Sequence, residues 1–227
     1  MKKMMILAAA LACAAVFADD ACPVGKNVRG HENIEWSIGY GFHLNDGQKN
    51  LPRVLLVGDS ICNGYQGAVQ KRLEGKVNVS YWVSSYCLTM PSYLYLLAFY
   101  LDEGKYDVIH FNNGLHSLGT NVESWSQYLR MSLALIREKQ PQAKIILCTS
   151  TPLKDPKLTA KAKALNEAAL KVIAEPEAGK IEVNDLFALL DPLDREQNWS
   201  DTYHHKGPVR EKEADQVAAS VLKVLGK

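Results

Sequence analysis

Short apolar runs alternate with longer amphipathic segments along most of the chain. The run RVLLVGD at 53–59 is continuous in leucine and valine, as expected for a strand that is buried on both faces. Comparable runs stand at 77–84, 107–113, 144–152 and 181–190, the last of them running into a turn of helix. The pattern therefore predicts five strands.

Helical patterns fill the intervals between these strands. Helices are predicted at 64–74, 91–102, 122–139, 158–175 and 209–225. In the third of them, Trp125, Leu129 and Leu133 share one face, as in a helix that packs on a sheet. Because parallel strands need crossover connections, the alternation predicts an α/β fold with a parallel sheet covered by helices on both faces. No linker, internal repeat or low-complexity stretch interrupts residues 19–227, so we expect a single domain with a lead-in at 19–50.

The first 18 residues, MKKMMILAAALACAAVFA, are typical of an export signal. Two lysines precede an apolar stretch, and Val16 and Ala18 have the small-residue spacing that signal peptidases accept. The stretch is too short to span a bilayer, so no stable membrane span is expected. Lipidation at Cys13 is the alternative, but apolar residues follow that cysteine where a lipoprotein usually turns polar. The mature chain is therefore predicted to be periplasmic or extracellular.

Composition and charge exclude several classes of protein. Of the 227 residues 47% are hydrophobic, which is ordinary for a globular domain and excludes disordered, collagen-like and coiled-coil chains. The 26 lysines and arginines nearly balance the 25 acidic residues, giving a net charge of +1 without a block of like charge. The electrostatic footprint of a nucleic-acid-binding protein is missing.

Four cysteines remain after the predicted signal: Cys22, Cys62, Cys87 and Cys148. Export makes disulfides possible, and the sequence does not choose among the three full pairings. A bridge between Cys62 and Cys87 and a pair of free buried thiols fit equally well. Neither C-x-x-C nor H-E-x-x-H occurs, so neither a structural zinc nor any other metal site is predicted.

Three polar segments stand where loops should leave the sheet. GDSI at 58–61 follows the first strand, NNGLH at 112–116 follows the third, and DTYHHKG at 201–207 precedes the last helix. Loops at the carboxyl ends of parallel strands meet at one edge of the sheet, which is where such folds bind ligands. The chemistry is expected at that edge.

Ser60, Asp201 and His204 form a candidate catalytic set. Taken alone, a serine after a strand is more often a helix cap, and an isolated D-x-x-H is more often an exposed loop. Together, a hydroxyl at a helix start and an imidazole three residues from a carboxylate suit nucleophilic catalysis. The carboxylate would hold Nδ1–H and leave Nε2 free to take the serine proton.

GDSICNGY together with DTYHHKG resembles the SGNH hydrolases, also called GDSL esterases and lipases. The resemblance extends from Arg53 to the C-terminus. It implies a flavodoxin-like three-layer α/β/α sandwich with five parallel strands in the order 2-1-3-4-5. It also implies that Ser60 is the nucleophile, His204 the general base and Asp201 its orienting partner.

The same resemblance bears on the oxyanion hole, which in this family uses the serine N–H, a glycine N–H and an asparagine side chain. No glycine follows the second strand here, so the second donor is expected to be the N–H of Ser85 or a neighbour. NNGLHS resembles the N-x-G-L-H form of branches that act on carbohydrate esters, which favours Asn112 as the amide donor and Asn113 as the second choice. His116 either replaces the asparagine or holds the loop in shape.

Other aromatic and histidine residues carry weaker hypotheses. Trp199 would either form the floor of a sugar site or anchor its loop, and the second interpretation is favoured. His205 competes with His204 as base but lies one residue outside the family spacing, so it is expected to face solvent or substrate. His110 lies within a predicted strand and is expected to be a satisfied core histidine.

The function predicted from these observations is that of an exported serine esterase acting through an acyl-serine intermediate. The expected substrate is a short acyl ester, acetyl above all, on a small molecule or a polysaccharide, and no cofactor is required. Two alternatives remain: a carbohydrate-binding protein that has lost turnover on this fold, and a lipase or acylhydrolase of the same family.

Overall fold

The computed structural model describes residues 34–40 and 50–227, in which six β-strands and seven α-helices are found. The strands are β1 (Ser37–Tyr40), β2 (Arg53–Gly58), β3 (Asn78–Ser84), β4 (Val108–Phe111), β5 (Lys144–Cys148) and β6 (Ile181–Asn184). The helices are α1 (Ser60–Leu73), α2 (Pro91–Asp102), α3 (Val122–Lys139), α4 (Pro156–Ile173), α5 (Leu186–Leu190), α6 (Arg195–Asn198) and α7 (Gly207–Leu225). Two short 3-10 turns, Leu115–Ser117 and Pro176–Ala178, complete the order.

The strands form one sheet in the order β1-β3-β2-β4-β5-β6. All neighbours from β3 to β6 are parallel. Leaving β1 aside, this is the predicted 2-1-3-4-5 order, so the predicted α/β fold class is confirmed. The carboxyl ends of β2, β4 and β5 therefore meet at one edge, as the sequence indicated.

The predicted count of five strands is wrong by one, because β1 adds an antiparallel edge strand to β3. Its four residues, SIGY, are all exposed and show no alternation of buried and exposed positions. The strand is held by its neighbours instead. Trp82 Nε1 donates to Ser37 Oγ at 2.9 Å, and the Tyr100 ring packs so closely over Gly39 that a Cβ there would lie 2.1 Å from it.

The sheet separates two hydrophobic cores. In β2, Leu55 and Val57 point into the core formed with α2, α3 and α4, whereas Val54 and Leu56 point into the core formed mainly with α1 and α7. All four side chains are buried, as predicted for a strand covered on both faces. Burial of β2 on both faces fixes where this strand ends, and with it the loop that carries the GDSI segment.

Three helices begin earlier than the sequence pattern predicted; one of them is α4, which begins at Pro156 rather than at 158. Helix α1 begins at Ser60 rather than 64, because Asp59 caps its first turn before the apolar period is visible. Helix α7 begins at Gly207, with a proline in its first turn, rather than at 209.

Several predictions fall outside the described residues. They include the export signal at 1–18 with Cys13, most of the lead-in, and Cys22. No helix among residues 34–40 and 50–227 is both long and apolar enough to cross a membrane. The single domain over 19–227 and the exported location stay predictions.

His110 lies in β4 and is fully buried, as expected of a core histidine. Gln216 donates to Asn184 Oδ1, which turns the Asn184 amide so that Nδ2 donates to His110 Nε2 at 2.9 Å. Burial lowers the pKa of His110 to about 4. Because Asn184 Nδ2 donates to Nε2, that ring nitrogen has no room for the proton that would charge the imidazole.

This histidine makes the folded state sensitive to mild acid. The unfolded state takes up the proton near pH 6.5 and the folded state only near pH 4, so stability is full above pH 6.5 and falls as the pH drops. Between pH 7.5 and 5 the wild type is expected to lose about 2 kcal/mol more unfolding free energy than a His110→Gln variant. Urea unfolding at both pH values measures the difference. Equal losses in the two proteins would contradict it.

Candidate active site

The turn from β2 into α1 presents Ser60 at the sheet edge. Asp59 Oδ1 accepts a hydrogen bond from the Ile61 N–H at 2.9 Å, which caps the helix and leaves Ser60 as its first residue. Gly58 is required because a Cβ there would lie 2.5 Å from Cys62 Cβ in the returning helix. Each residue of the G-D-S triplet thus has a physical role, and Ser60 remains half-buried.

Ser60, His204 and Asp201 are brought together across 144 residues of chain. His204 Nε2 lies 2.9 Å from Ser60 Oγ, and His204 Nδ1 lies 2.8 Å from Asp201 Oδ2. A carboxylate only accepts, so Nδ1 carries the proton and Nε2 accepts from the serine hydroxyl. The side chains of His204 and Asp201 are 42% and 54% exposed, so the site is open to solvent.

Asp201 is held as an anion by its own loop. Its Oδ1 accepts from the backbone N–H groups of Tyr203 at 2.7 Å and His204 at 2.8 Å. Partial burial opposes ionisation, but the hydrogen bonds from the His204 backbone and ring and from the Tyr203 N–H outweigh it and lower the pKa of Asp201 to about 2. The carboxylate therefore stays charged and oriented towards the imidazole at neutral pH.

The structure corrects the expectation for His205. Its side chain is buried, and Nδ1 lies 3.0 Å from Oε1 of Glu213 in α7, so it faces neither solvent nor substrate. Burial raises the pKa of Glu213, while the neighbouring His205 acts in the opposite direction. Glu213 is not among the predicted site residues, although a carboxylate between Val209 and Val217 on an apolar helix face is a visible signal in the sequence.

Trp199 anchors its loop. It is buried, pairs with His205 in an isolated antiparallel bridge, and meets the His205 ring edge-on at 4.7 Å. The Arg195 guanidinium carbon lies 4.5 Å from the centre of the indole ring. With its surroundings occupied in this way, the indole does not form the floor of a sugar site, in agreement with the favoured interpretation.

Asn112, the predicted oxyanion donor, binds protein atoms in this structure. Its Nδ2 donates to Cys148 O at 2.8 Å and to Ser150 Oγ at 3.3 Å. An amide nitrogen has two hydrogens, so both are engaged. Asn112 must release at least one of these acceptors before it can bind an oxyanion.

Asn113 holds neighbouring loops together. Its Nδ2 donates to Tyr86 O at 2.9 Å, and its Oδ1 accepts from Ser117 Oγ at 2.7 Å. The glycine that follows is also structural, because a Cβ at Gly114 would lie 1.6 Å from Ser150 Oγ. The NNG segment therefore ties the ends of β3, β4 and β5 to one another.

Ser85 and His116 both meet the lead-in. The Ser85 N–H donates to Trp36 O at 3.0 Å, and Ser85 Oγ donates to Glu35 Oε2 at 2.6 Å. The Ser85 N–H is thus engaged in pairing with the lead-in. The half-buried His116 ring lies edge-on to Trp36 with ring centres 6.2 Å apart, a contact that suits the loop-ordering interpretation.

The described cysteines, Cys62, Cys87 and Cys148, are free and buried, so the Cys62–Cys87 bridge is not formed. Burial raises the pKa of Cys62 to about 12, and burial also raises that of Cys148. Cys62 and Cys148 are therefore poor nucleophiles. Within the described ranges, no group of three His, Cys, Asp or Glu side chains is arranged to hold a metal ion.

Solved structures share this architecture. A carbohydrate esterase family 3 structure from Talaromyces cellulolyticus superposes with a TM-score of 0.64 at 16% identity, over 78% of this chain and 99% of that one. A GDSL-like lipase from Bacteroides thetaiotaomicron superposes with a TM-score of 0.62 at 14% identity, over 79% and 92% of the two chains. The chain has the SGNH hydrolase fold. The three-layer α/β/α architecture that the resemblance implied is thereby confirmed.

A second carbohydrate esterase shares the SGNH fold. A family 2 enzyme from Clostridium thermocellum, solved with cellohexaose, superposes with a TM-score of 0.59 at 15% identity, over 77% of this chain and 65% of that one. No protein-family model matches the present chain, and no curated protein sequence matches it either.

Proposed function

We propose that this protein is a serine ester hydrolase of the SGNH family that works through an acyl-serine intermediate. One observation carries the proposal: Ser60 Oγ lies 2.9 Å from His204 Nε2, while Asp201 holds the opposite nitrogen of the same ring. A hydroxyl, an imidazole and a carboxylate in this relation form the catalytic set of serine hydrolases on several unrelated folds. The carbohydrate esterases and the GDSL-like lipase among the similar structures agree with it.

The geometry supports a two-step reaction. Ser60 Oγ attacks the ester carbonyl as His204 Nε2 takes its proton, and the imidazolium then protonates the departing alcohol. Water enters, loses a proton to His204 and attacks the acyl-serine, which releases the acid and restores Ser60. Asp201 stays ionised throughout and stabilises the imidazolium that forms in both steps.

The oxyanion is stabilised in this proposal by the start of α1. As the first helical residue, Ser60 has an N–H without an acceptor inside the helix, and the positive end of the helix dipole lies there. Asn112 supplies a second donor once its amide leaves Cys148 O. Removing a single oxyanion donor typically costs a hydrolase about 10²–10³ in kcat.

The proposed substrate is a short acyl ester, acetyl above all, of a carbohydrate, met in the periplasm or outside the cell. The similar carbohydrate esterases and an acetyl esterase mutant solved with acetate support this class. The predicted export signal supports the location. The substrate class is tested by measuring acetate release from a panel of acetylated glycans and, in parallel, hydrolysis of long-chain aryl esters. Turnover of long-chain esters alone would indicate a lipase or acylhydrolase, and sugar binding without turnover a binding protein.

Tyr203 is expected to bind the sugar. It is 42% exposed, and its ring centre lies 6.4 Å from that of His204, so an aromatic face stands beside the reacting atoms. Tyr203→Ala is expected to raise KM for an acetylated oligosaccharide about threefold to tenfold while leaving kcat/KM for an aryl acetate unchanged. Tyr203→Phe keeps the ring and should behave as wild type. A Tyr203→Ala variant with wild-type KM for the oligosaccharide would refute this role.

A further inference from the structure

A buried histidine and a buried carboxyl group lie next to the candidate catalytic histidine. His205, the next residue along the chain, is 2% exposed, and Glu213 is fully buried. Their closest atoms, His205 Nδ1 and Glu213 Oε1, are 3.0 Å apart. Neither residue takes part in the reaction proposed above.

The position of Glu213 is costly for a carboxylate. On α7 it occupies a stripe with Val209, Val217 and Val221, spaced four residues apart and all buried. An apolar residue there would continue the packing of α7 against α1 without desolvating a charge. Desolvation raises the pKa of Glu213, as expected for a carboxyl group buried in this stripe. Packing alone therefore does not account for this residue.

Glu213 lies close to both halves of the active site. On one side, Glu213 is buried where α7 packs against α1, the helix that begins with Ser60. On the other side it holds His205. It is therefore placed to fix the distance between the helix that carries the nucleophile and the loop that carries the base.

Backbone hydrogen bonds hold the loop that carries Asp201 and His204 in place near the His205–Glu213 contact. The Ser200 N–H donates to His204 O at 2.8 Å, and the Lys206 N–H donates to Asn198 O at 2.9 Å. Arg210 Nε donates to His205 O at 2.7 Å. The buried His205 ring and the catalytic His204 ring are therefore carried by adjacent residues of one tied backbone segment.

We infer that Glu213 is a positioning residue, which acts through His205 to hold the His204 imidazole in line with Ser60 Oγ. The inference rests on the proposed esterase function and deepens it. Because a misplacement of about 1 Å can cost a hundredfold in rate, loss of this contact should lower kcat rather than weaken substrate binding.

Two variants of similar volume isolate the contact. Glu213→Gln keeps an oxygen beside His205 Nδ1, whereas Glu213→Met fills the same space without an oxygen. We expect the glutamine variant to keep at least about a third of wild-type kcat for an aryl acetate, and the methionine variant to lose about tenfold or more. KM should stay within about threefold in both, because the substrate site is untouched. Glu211→Gln, two residues away on the exposed side of α7, is the matched control and should behave as wild type.

Equal kcat values for Glu213→Met, Glu213→Gln and wild type would overturn the inference. If Glu213→Met does not fold, a Glu213→Leu/His205→Leu double variant replaces it, because removing both partners of a buried pair leaves no stranded charge. Loss of kcat in the folded double variant supports the inference and retention overturns it. Failure of both proteins to fold would assign the pair to folding alone and would overturn it too. A wild type that neither turns over esters nor reacts with a fluorophosphonate would instead contradict the proposed function.

Discussion

Replacing Ser60 by alanine is expected to lower kcat for an aryl acetate by a factor of about 10⁵ or more. The substitution removes the Ser60 hydroxyl. In the described part of the chain, it is the only hydroxyl that is hydrogen-bonded to His204 Nε2. Among the described cysteines, Cys62, the one nearest in sequence, has its pKa raised to about 12 by burial and so cannot take over as nucleophile. The ratio of the two kcat values is measured from initial rates at saturating substrate. The wild-type enzyme is diluted in series so that its rate can be compared with that of the variant.

The same substitution should leave the fold intact. Asp59, not Ser60, caps α1, and its bond to the Ile61 N–H does not involve the serine side chain. Thermal unfolding of Ser60→Ala should therefore resemble that of wild type. Ser220→Ala, which removes a hydroxyl from α7 far along the chain, serves as the control and should keep full activity. A Ser60→Ala protein that retains even a tenth of the wild-type kcat would show that another group attacks the ester.

The second large effect distinguishes the two adjacent histidines. His204→Ala is expected to lower kcat by a factor on the order of 10³ or more, because it removes the base and the proton donor for the leaving alcohol. His205→Ala should cost about tenfold to a hundredfold, because His205 contacts Glu213 and not Ser60. The comparison is made by measuring kcat of His204→Ala and His205→Ala side by side on the same aryl acetate.

The relative sizes of these losses are decisive. His205 is buried and cannot reach Ser60 while His204 occupies the 2.9 Å contact with Ser60 Oγ. A greater loss in His205→Ala than in His204→Ala would therefore mean that the loop at 201–207 adopts another arrangement during catalysis. Circular dichroism of both variants controls for misfolding, to which the buried His205 is more sensitive.

The catalytic set could be predicted from the sequence because local rules place each member. A serine behind a buried strand must stand at the sheet edge, and D-x-x-H in a loop brings a carboxylate to the near nitrogen of the imidazole. The strand order also followed, since parallel neighbours require crossovers. Contacts at 2.8 and 2.9 Å agree with these rules.

The remaining features depend on contacts that no local pattern encodes. Strand β1 has no buried face, and only its pairing with β3 and the packing of Tyr100 over Gly39 make it a strand. Asn112 carries the expected amide, but its direction is decided by Cys148 O, 36 residues away. His205 was expected to face solvent or substrate because it lies one residue outside the family spacing, but its burial beside Glu213 depends on a contact with the next helix.

Covalent trapping of the nucleophile decides whether these side chains form a working active site. The purified protein is incubated with a fluorophosphonate, and the adduct is located by mass spectrometry of its peptides. The proposed chemistry predicts one adduct per chain, on Ser60, that forms far more slowly in His204→Ala and is absent from Ser60→Ala. Wild-type protein that stays unmodified, or that is modified at another residue at the same rate in all three proteins, would contradict it.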